Sequence, residues 1–372
     1  MSYSLDVCVR GAGIVGRSLA LALARQGLRV GLQAGPERPG AGPDVRTYAL
    51  NHASVQLLRE LKVWDALPAD AATPVYEMQV HGDAEASALH FSAWQQQVEA
   101  LAWIADAAEL EQVLAAALRF APHVELIDPD RSVPAALTAL CEGRDSAGRD
   151  ARGVQWQVHA YGQSAIAARL VADQPHRGLA RQWFRSPDVL ALLPFDRPQS
   201  GASYGLVWSL PQARAQALMV LDDAAFEQAL AEATGNEAGH LRLQGTRAAW
   251  PLALAHAHPV CGAGWALLGD AAHLVHPLAG QGLNLGLADV ATLARVLAER
   301  EPWRPLGDEK LLRRYARARH APTWAMGQVT DGLLHLFAHP TPWLRELRNR
   351  GLTLVDKLPP LKRWLATQAL GR

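Results

Sequence analysis

The segment Gly11-Ala-Gly13-Ile-Val-Gly16 constrains this chain more than any other. It lies between a short apolar strand pattern, Asp6 to Arg10, and a Leu- and Ala-rich run, Arg17 to Gln26. Gly27 closes that run as a helix C-terminal cap would, and Leu28 to Leu32 reads as the next strand. A strand, helix, strand unit of about 30 residues with this glycine spacing predicts dinucleotide binding. Gly11 permits the tight turn, Gly13 lets the backbone approach a pyrophosphate, and Gly16 lets helix and strand pack closely. The helix N-terminus adds unpaired N–H groups and a partial positive charge. The competing reading is a glycine-rich loop in an α/β domain without a ligand. The carboxylate that usually holds a ribose hydroxyl about 20 residues on is missing. Gln33 or Ala34 stands in its place and Glu37 lies beyond a Gly-Pro turn, so the ribose contact is expected from Gln33, from backbone or from elsewhere.

The chain has 372 residues, more than one core usually serves, so two domains are expected. Its 36 basic and 36 acidic side chains cancel, which argues against a nucleic-acid reader, since those cluster Lys and Arg on phosphates. Cys8, Cys141 and Cys261 are far apart and odd in number, so neither a disulfide framework nor a CxxC motif is offered, and a reducing compartment is expected. Neither a secretory leader pattern nor an apolar stretch long enough for a membrane span is present.

Between about Pro74 and His258, short β-like runs such as Leu190 to Leu193 and Tyr204 to Trp208 are broken by Gly, Pro and Asp, which predicts a sheet-rich domain inserted in the first. Glu109 to Arg119 and Asp223 to Thr234 read as helices. A second glycine cluster follows. The apolar strand Trp265 to Leu268 runs into Gly269-Asp270, and a proline loop leads through Gly280, Gly282 and Gly286 into a helix lasting to about Glu299. This is a second anion cradle at a helix start, and Asp270 at a strand end is placed to accept hydrogen bonds from sugar-alcohol hydroxyls. Two cradles in one chain suit a long ligand.

The run His276-Pro-Leu-Ala-Gly-Gln-Gly-Leu-Asn-Leu-Gly-Leu-Ala-Asp289 closely resembles the signature of the ubiquinone-biosynthesis monooxygenases, flavin hydroxylases built like para-hydroxybenzoate hydroxylase. Asp44-Val-Arg46-Thr-Tyr-Ala-Leu50-Asn51 resembles the family's flavin-contacting arginine segment. Tyr161-Gly-Gln163, Pro175-His-Arg177, Arg181-Gln-Trp-Phe184, Leu192-Leu-Pro194 and Leu347 to Leu352 corroborate it. The resemblance implies a Rossmann-like α/β FAD-binding domain made of residues 1–75, 100–155 and 256–330, a substrate domain of residues 76–99 and 156–255, and a helical tail, 331–372. Two departures fall where NAD(P)H would react. Cys141-Glu142-Gly143-Arg-Asp-Ser146-Ala-Gly-Arg149 carries Glu where the family's motif has Asp, and Val124 to Leu140 is short for the usual strand meander.

The resemblance implies FAD with its pyrophosphate near Gly11, Gly13 and Gly16, and its ribityl chain and ring near Asp270, Gly280, Gln281, Gly282, Leu283 and Asn284. The N–H groups of Leu283 and Asn284 would face the negative charge of the reduced ring. It also implies NAD(P)H as transient reductant and hydroxylation of a polyprenylated phenol through a flavin C4a-hydroperoxide. Pro277 would pack near the reactive face of the ring, and Arg46 would anchor the flavin or gate its swing; a surface arginine is the alternative. A soluble phenol as substrate, or a non-catalytic assembly partner in a biosynthetic complex, are the rival readings. Trp183, Trp208 and Phe184 are candidates for an aromatic pocket or plain core, and Arg181 and His176 for polar substrate contacts. His273 and His276 lack a third ligand at metal spacing. The tail from Thr341 to Arg372, with Trp343, Trp364 and several Arg and Lys, suits either an amphipathic patch on a membrane surface or helices packed on the body. The expected location is cytoplasmic, at or near the inner membrane.

Overall fold

Val7 and Val9 are wholly buried in the first strand, β1 (Leu5–Arg10), as expected of a central parallel strand covered on both faces. The computed structural model describes residues 4–35, 44–82, 88–131, 133–275 and 281–338. The strands in chain order are β2 (Val30–Gln33), β3 (Thr47–Leu50), β4 (Ala72–Val75), β5 (Glu77–His81), β6 (Ala88–Ser92), β7 (Ala102–Asp106), β8 (Val124–Ile127), β9 (Ala135–Leu140), β10 (Gln155–Ala172), β11 (Leu179–Arg185), β12 (Asp188–Phe195), β13 (Ser203–Pro211), β14 (Leu241–His258), β15 (Cys261–Gly262), β16 (Trp265–Leu267) and β17 (His273–Leu274). The helices are α1 (Ile14–Ala24), α2 (His52–Glu60), α3 (Ala93–Gln96), α4 (Ala107–Arg119), α5 (Ala147–Asp150), α6 (Gln212–Met219), α7 (Asp223–Thr234), α8 (Gln281–Ala298) and α9 (Glu309–Ala338).

One sheet has the order β15-β16-β9-β1-β2-β8, and every pairing from β16 to β8 is parallel. Leu19 and Leu23 of α1, Leu110 and Leu114 of α4, and Val290, Leu293 and Leu297 of α8 share its main core with Val7, Val9 and Val30. Asp106 starts α4 by accepting the N–H groups of Ala108 and Glu109, which places the helix start two residues before the expected Glu109. Between β8 and β9 lies no strand among the described residues. The direct connection is tied to β2 by Gln33, whose Nε2 donates to the carbonyls of Asp128, Pro129 and Arg131 at 3.1, 2.7 and 3.1 Å.

The second sheet has eight strands in the order β17-β14-β10-β13-β12-β11-β5-β6, and a third, β3-β7-β4, lies between the two larger layers. β17 comes from the chain's second glycine cluster, so part of the expected residue range 256–330 contributes an edge to the eight-stranded sheet. Strand alternation gives the eight-stranded sheet two different faces. Trp183, Leu190, Leu192, Tyr204, Leu206 and Trp208 point to one, under α6 and α7. Ala180, Ala191, Leu193, Phe195 and Val207 point to the other, against Val75, Ile104 and Ala49 of the three-stranded sheet. Among the described residues no helix is long and apolar enough to cross a membrane. The tail readings at residues 341–372 lie outside the described residues.

Candidate active site

Gly11 has φ +103°, a conformation that suits glycine, and a Cβ there would collide with the Cys141 carbonyl oxygen. A Cβ on Gly16 would run into the carbonyl of Gly11. Gly13 differs: a Cβ would meet nothing within 4 Å. Two glycines therefore serve close backbone packing, and the one between them faces open space. Gly13 is also the residue before α1, in extended conformation; no side chain caps the helix there and its first turn holds no acidic residue. This leaves a bare positive helix end beside an open backbone, which fits a pyrophosphate.

The second glycine cluster comes to the same place. A Cβ on Gly269 would lie 3.2 Å from Cγ2 of Val15, and one on Gly286 would lie 2.7 Å from that same methyl and 3.4 Å from Cα of Gly269. Val15 thus fills a notch between the turn Gly269–Ala271 and α8, and the starts of α1 and α8 are held side by side. Gly282, in the first turn of α8, has open space where a Cβ would be.

Asp289, with no exposed surface, locks this arrangement. Its Oδ2 accepts the Gly269 N–H at 2.9 Å and lies 2.7 Å from Nε2 of His273, and its Oδ1 accepts Nε of Arg319 at 2.6 Å. Burial disfavours charge on both partners, but mutual attraction outweighs it. His273 is held above its usual pKa, and Asp289, next to His273 and Arg319, below the usual carboxylate range. Asp270, the middle residue of this turn, is exposed to the space in front of it yet set deep between protein walls. Desolvation there raises its pKa against the pull of His273, Arg46 and Arg144.

Arg46 is half-exposed and forms a two-pronged pair with Asp44, at 2.8 and 2.7 Å; its guanidinium lies 5.6 Å from the centre of the Tyr48 ring. That segment is tethered from the eight-stranded sheet, where Arg169 donates to the Asp44 carbonyl at 3.3 Å and to Asp106 at 2.9 Å. Burial raises the Tyr48 phenol to about 12, so it stays protonated.

The described residues give the remaining candidates their places. The Asn284 side chain is engaged within the protein: Oδ1 accepts the Asn51 N–H and the Ser54 hydroxyl, and Nδ2 donates to the Ala49 carbonyl. Only its backbone can serve a ligand. Gln33 has its amide nitrogen on the β8–β9 connection and retains only Oε1 for a ribose. Trp183 and Trp208 are core on the helix-covered face, Arg181 donates to the Tyr204 hydroxyl there, and His176 accepts the Gly178 N–H through Nδ1. The helix-covered face on which Trp183 and Trp208 lie is the one away from the cradles. Phe184 is buried and, by alternation from Trp183, belongs to the opposite face. Glu142 is bound at both oxygens, Oε1 3.0 Å from Arg10, and Oε2 accepting the Ser146 hydroxyl and the Gly148 N–H. His273 is the partner of Asp289, and no group of three metal-ligating side chains occurs among the described residues. His276, Pro277 and Gly280 lie outside the described residues. The sequence reading missed Asp289 as the organiser of the site; its place at the end of the glycine signature was the available signal.

Residues 123–330 match the FAD binding domain family. The protein is a flavoprotein, an FAD-dependent monooxygenase of α/β architecture. It is 30% identical to ubiquinone hydroxylase UbiL of Rhodospirillum rubrum over 98% of this chain and 89% of that protein. It is likewise 30% identical to the 3-demethoxyubiquinol 3-hydroxylase of Escherichia coli, over 98% of each. The chain belongs to the ubiquinone-biosynthesis family of FAD-dependent hydroxylases. Its fold matches the crystal structure of p-nitrophenol 4-monooxygenase PnpA from Pseudomonas putida, with a TM-score of 0.76 at 18% identity, covering 100% of this chain and 99% of the other.

Proposed function

We propose that this protein hydroxylates the aromatic ring of a polyprenylated phenol on the route to ubiquinone. The observation that carries the reading is the convergence of the two cradles on Val15, which makes one continuous site for an extended dinucleotide. Bound FAD supplies the electron storage and oxygen activation that aromatic hydroxylation needs.

The residues of this chain divide the remaining work. The amides around Gly11, Gly13 and Gly16, with the start of α1, hold the pyrophosphate. Asp270 accepts hydroxyls of the sugar-alcohol chain, and Gln33 offers Oε1 to the adenosine ribose. The N–H groups of Gln281, Gly282, Leu283 and Asn284 and the dipole of α8 stabilise negative charge at the ring by about 0.3–2 kcal/mol. Arg46, beside β3, would anchor the flavin or gate its swing, and Pro277 and Gly280 enter the proposal from the sequence signature alone. Half-buried Ala49, Met78, Phe91, Ala102, Ala191 and Val207 form an apolar layer between the two sheets, suited to exclude water and to receive an aromatic ring with an alkyl tail.

NAD(P)H is the reductant we propose, acting near the turn Glu142–Gly143 beside Gly11. The larger Glu is compatible with that role because Arg10, Ser146 and Gly148 already neutralise and bind it. Contact with the cytoplasmic face of the inner membrane through residues 341–372, and membership of a biosynthetic complex, complete the proposal from sequence alone; co-sedimentation with anionic vesicles, compared with a chain truncated after residue 338, tests the contact.

The decisive experiment is a visible spectrum of the purified protein, followed by oxygen uptake with NAD(P)H and a prenylated phenol. A yellow protein that forms a hydroxylated product supports the reading. A protein that stays colourless after FAD is added would favour the assembly-partner role instead.

A further inference from the structure

Gln182 is a polar residue on an otherwise apolar row. Direct pairing across six strands places Val80, Gln182, Ala191, Val207, Ala167 and Ala248 side by side, and paired residues share a face. Ala191 and Val207 fix which face this is, because both pack in the apolar layer with Ala49. The carbonyl of Ala49 is in turn held by Nδ2 of Asn284 at the start of α8. The row therefore looks across the layer toward the helix start of the second cradle.

Gln182 is only 9% exposed, and none of the hydrogen bonds of the described residues involves its carboxamide. Its amide is not among the fully buried side-chain atoms that lack a partner, so it opens on accessible space and is free to bond a molecule that enters there. On the neighbouring strand Arg169 is engaged on Asp106 and Asp44, and Gln163 on the Pro187 carbonyl. The Gln182 carboxamide has both a donor and an acceptor to give to a molecule in the layer.

Resting on the proposed phenol hydroxylase, we propose that Gln182 hydrogen-bonds the ring oxygen of the substrate and so sets which ring carbon faces the flavin. Its Oε1 accepts the phenol O–H, or its Nε2 donates to the oxygen once the proton has left. The alkyl tail lies along the small residues Ala191, Val207 and Ala167.

The test uses the FAD-loaded full chain, titrated with 2-decylphenol and with its methyl ether, following the flavin visible spectrum. The wild type is expected to bind the phenol about tenfold or more tighter than the ether, as one lost hydrogen bond implies. Gln182→Leu and Gln182→Met should abolish that preference by weakening phenol binding about tenfold, and leave ether binding within about twofold. Two replacements guard against one that misfolds, and flavin content reports on each. Variants that keep the wild-type preference for the phenol would overturn the role of Gln182 and leave the hydroxylase reading standing. A flavin-loaded wild type that binds neither compound would overturn both.

Discussion

Val15 packs against Gly286 so closely that one added carbon on the glycine would sit 2.7 Å from the valine methyl, with Cα of Gly269 at 3.4 Å behind it. This contact joins the two halves of the cofactor site, which are about 270 residues apart in sequence. Gly286→Val should push α1 and α8 apart. A clash of this kind costs about 1–3 kcal/mol, and FAD affinity should fall by at least about tenfold. Isothermal titration of the apoprotein with FAD measures it. A companion Val15→Ala, Gly286→Val double variant should recover part of the loss, because the smaller residue makes room.

The Asp289 network predicts a distinct loss. Asp289→Ala leaves the cationic Arg319 and a buried His273 without their carboxylate, and breaking a buried pair in this way costs about 3–5 kcal/mol. Chemical denaturation of the apoprotein reads this directly. The pH dependence follows from the two shifts. His273 is raised above its usual 6.5, so its contribution is complete below that pH and is lost as pH rises through the higher folded value. Asp289 is lowered below 3.8, so its contribution is present above that pH and lost as pH falls through the lower folded value. Stability from this cluster should therefore plateau between these limits, and His273→Gln should remove the decline on the alkaline side. An unchanged alkaline decline in that variant would place the titration elsewhere.

Which parts of this were legible in the sequence depends on how local the signal is. Gly11, Gly13 and Gly16 act within one turn, so their spacing alone indicates a tight turn and a close helix. Asp222, which accepts the Ala225 N–H, and Gly235 likewise mark the start and end of α7 within a few residues. The roles of Asn284 and Asp289 depend on Asn51, Ser54, His273 and Arg319, partners that no local pattern names. For Trp183 and Trp208, alternation gives two faces of a strand but not which one will be covered by α6 and α7. Gln182 was passed over for the same reason: it lies between Arg181 and Trp183, and only the pairing with Ala191 shows that it faces the other way.

Asp270 offers a simpler test. Its carboxylate is exposed to the open space beside Gly269 and, among the described residues, has no hydrogen-bond partner. Asp270→Ala should leave the fold intact and weaken FAD retention by about tenfold or more, since hydrogen bonds to a charged group contribute about 1.5–3 kcal/mol. Flavin content after gel filtration, with Tm of the apoprotein as control, separates the two effects. Full flavin retention would mean that the sugar-alcohol chain runs elsewhere.

Glu142 allows the reductant to be tested apart from the cofactor. The carboxylate bridges Arg10 at the end of β1 to Ser146 and Gly148 at the start of α5, and so fixes the turn that abuts Gly11. Glu142→Ala frees Arg10 and leaves two donors to water, which should cost about 1–3 kcal/mol of stability. If NAD(P)H reads this turn, stopped-flow reduction of the bound flavin by NAD(P)H should slow by at least about tenfold, while reduction by dithionite, which needs no binding site, proceeds at the wild-type rate. Glu142→Asp is the sharper variant. One methylene shorter, it keeps the charge but cannot span both Arg10 and Ser146, so it separates the contribution of negative charge from that of the bridge. Equal slowing in both variants assigns the effect to the lost bridge, and slowing in Ala alone assigns it to the charge.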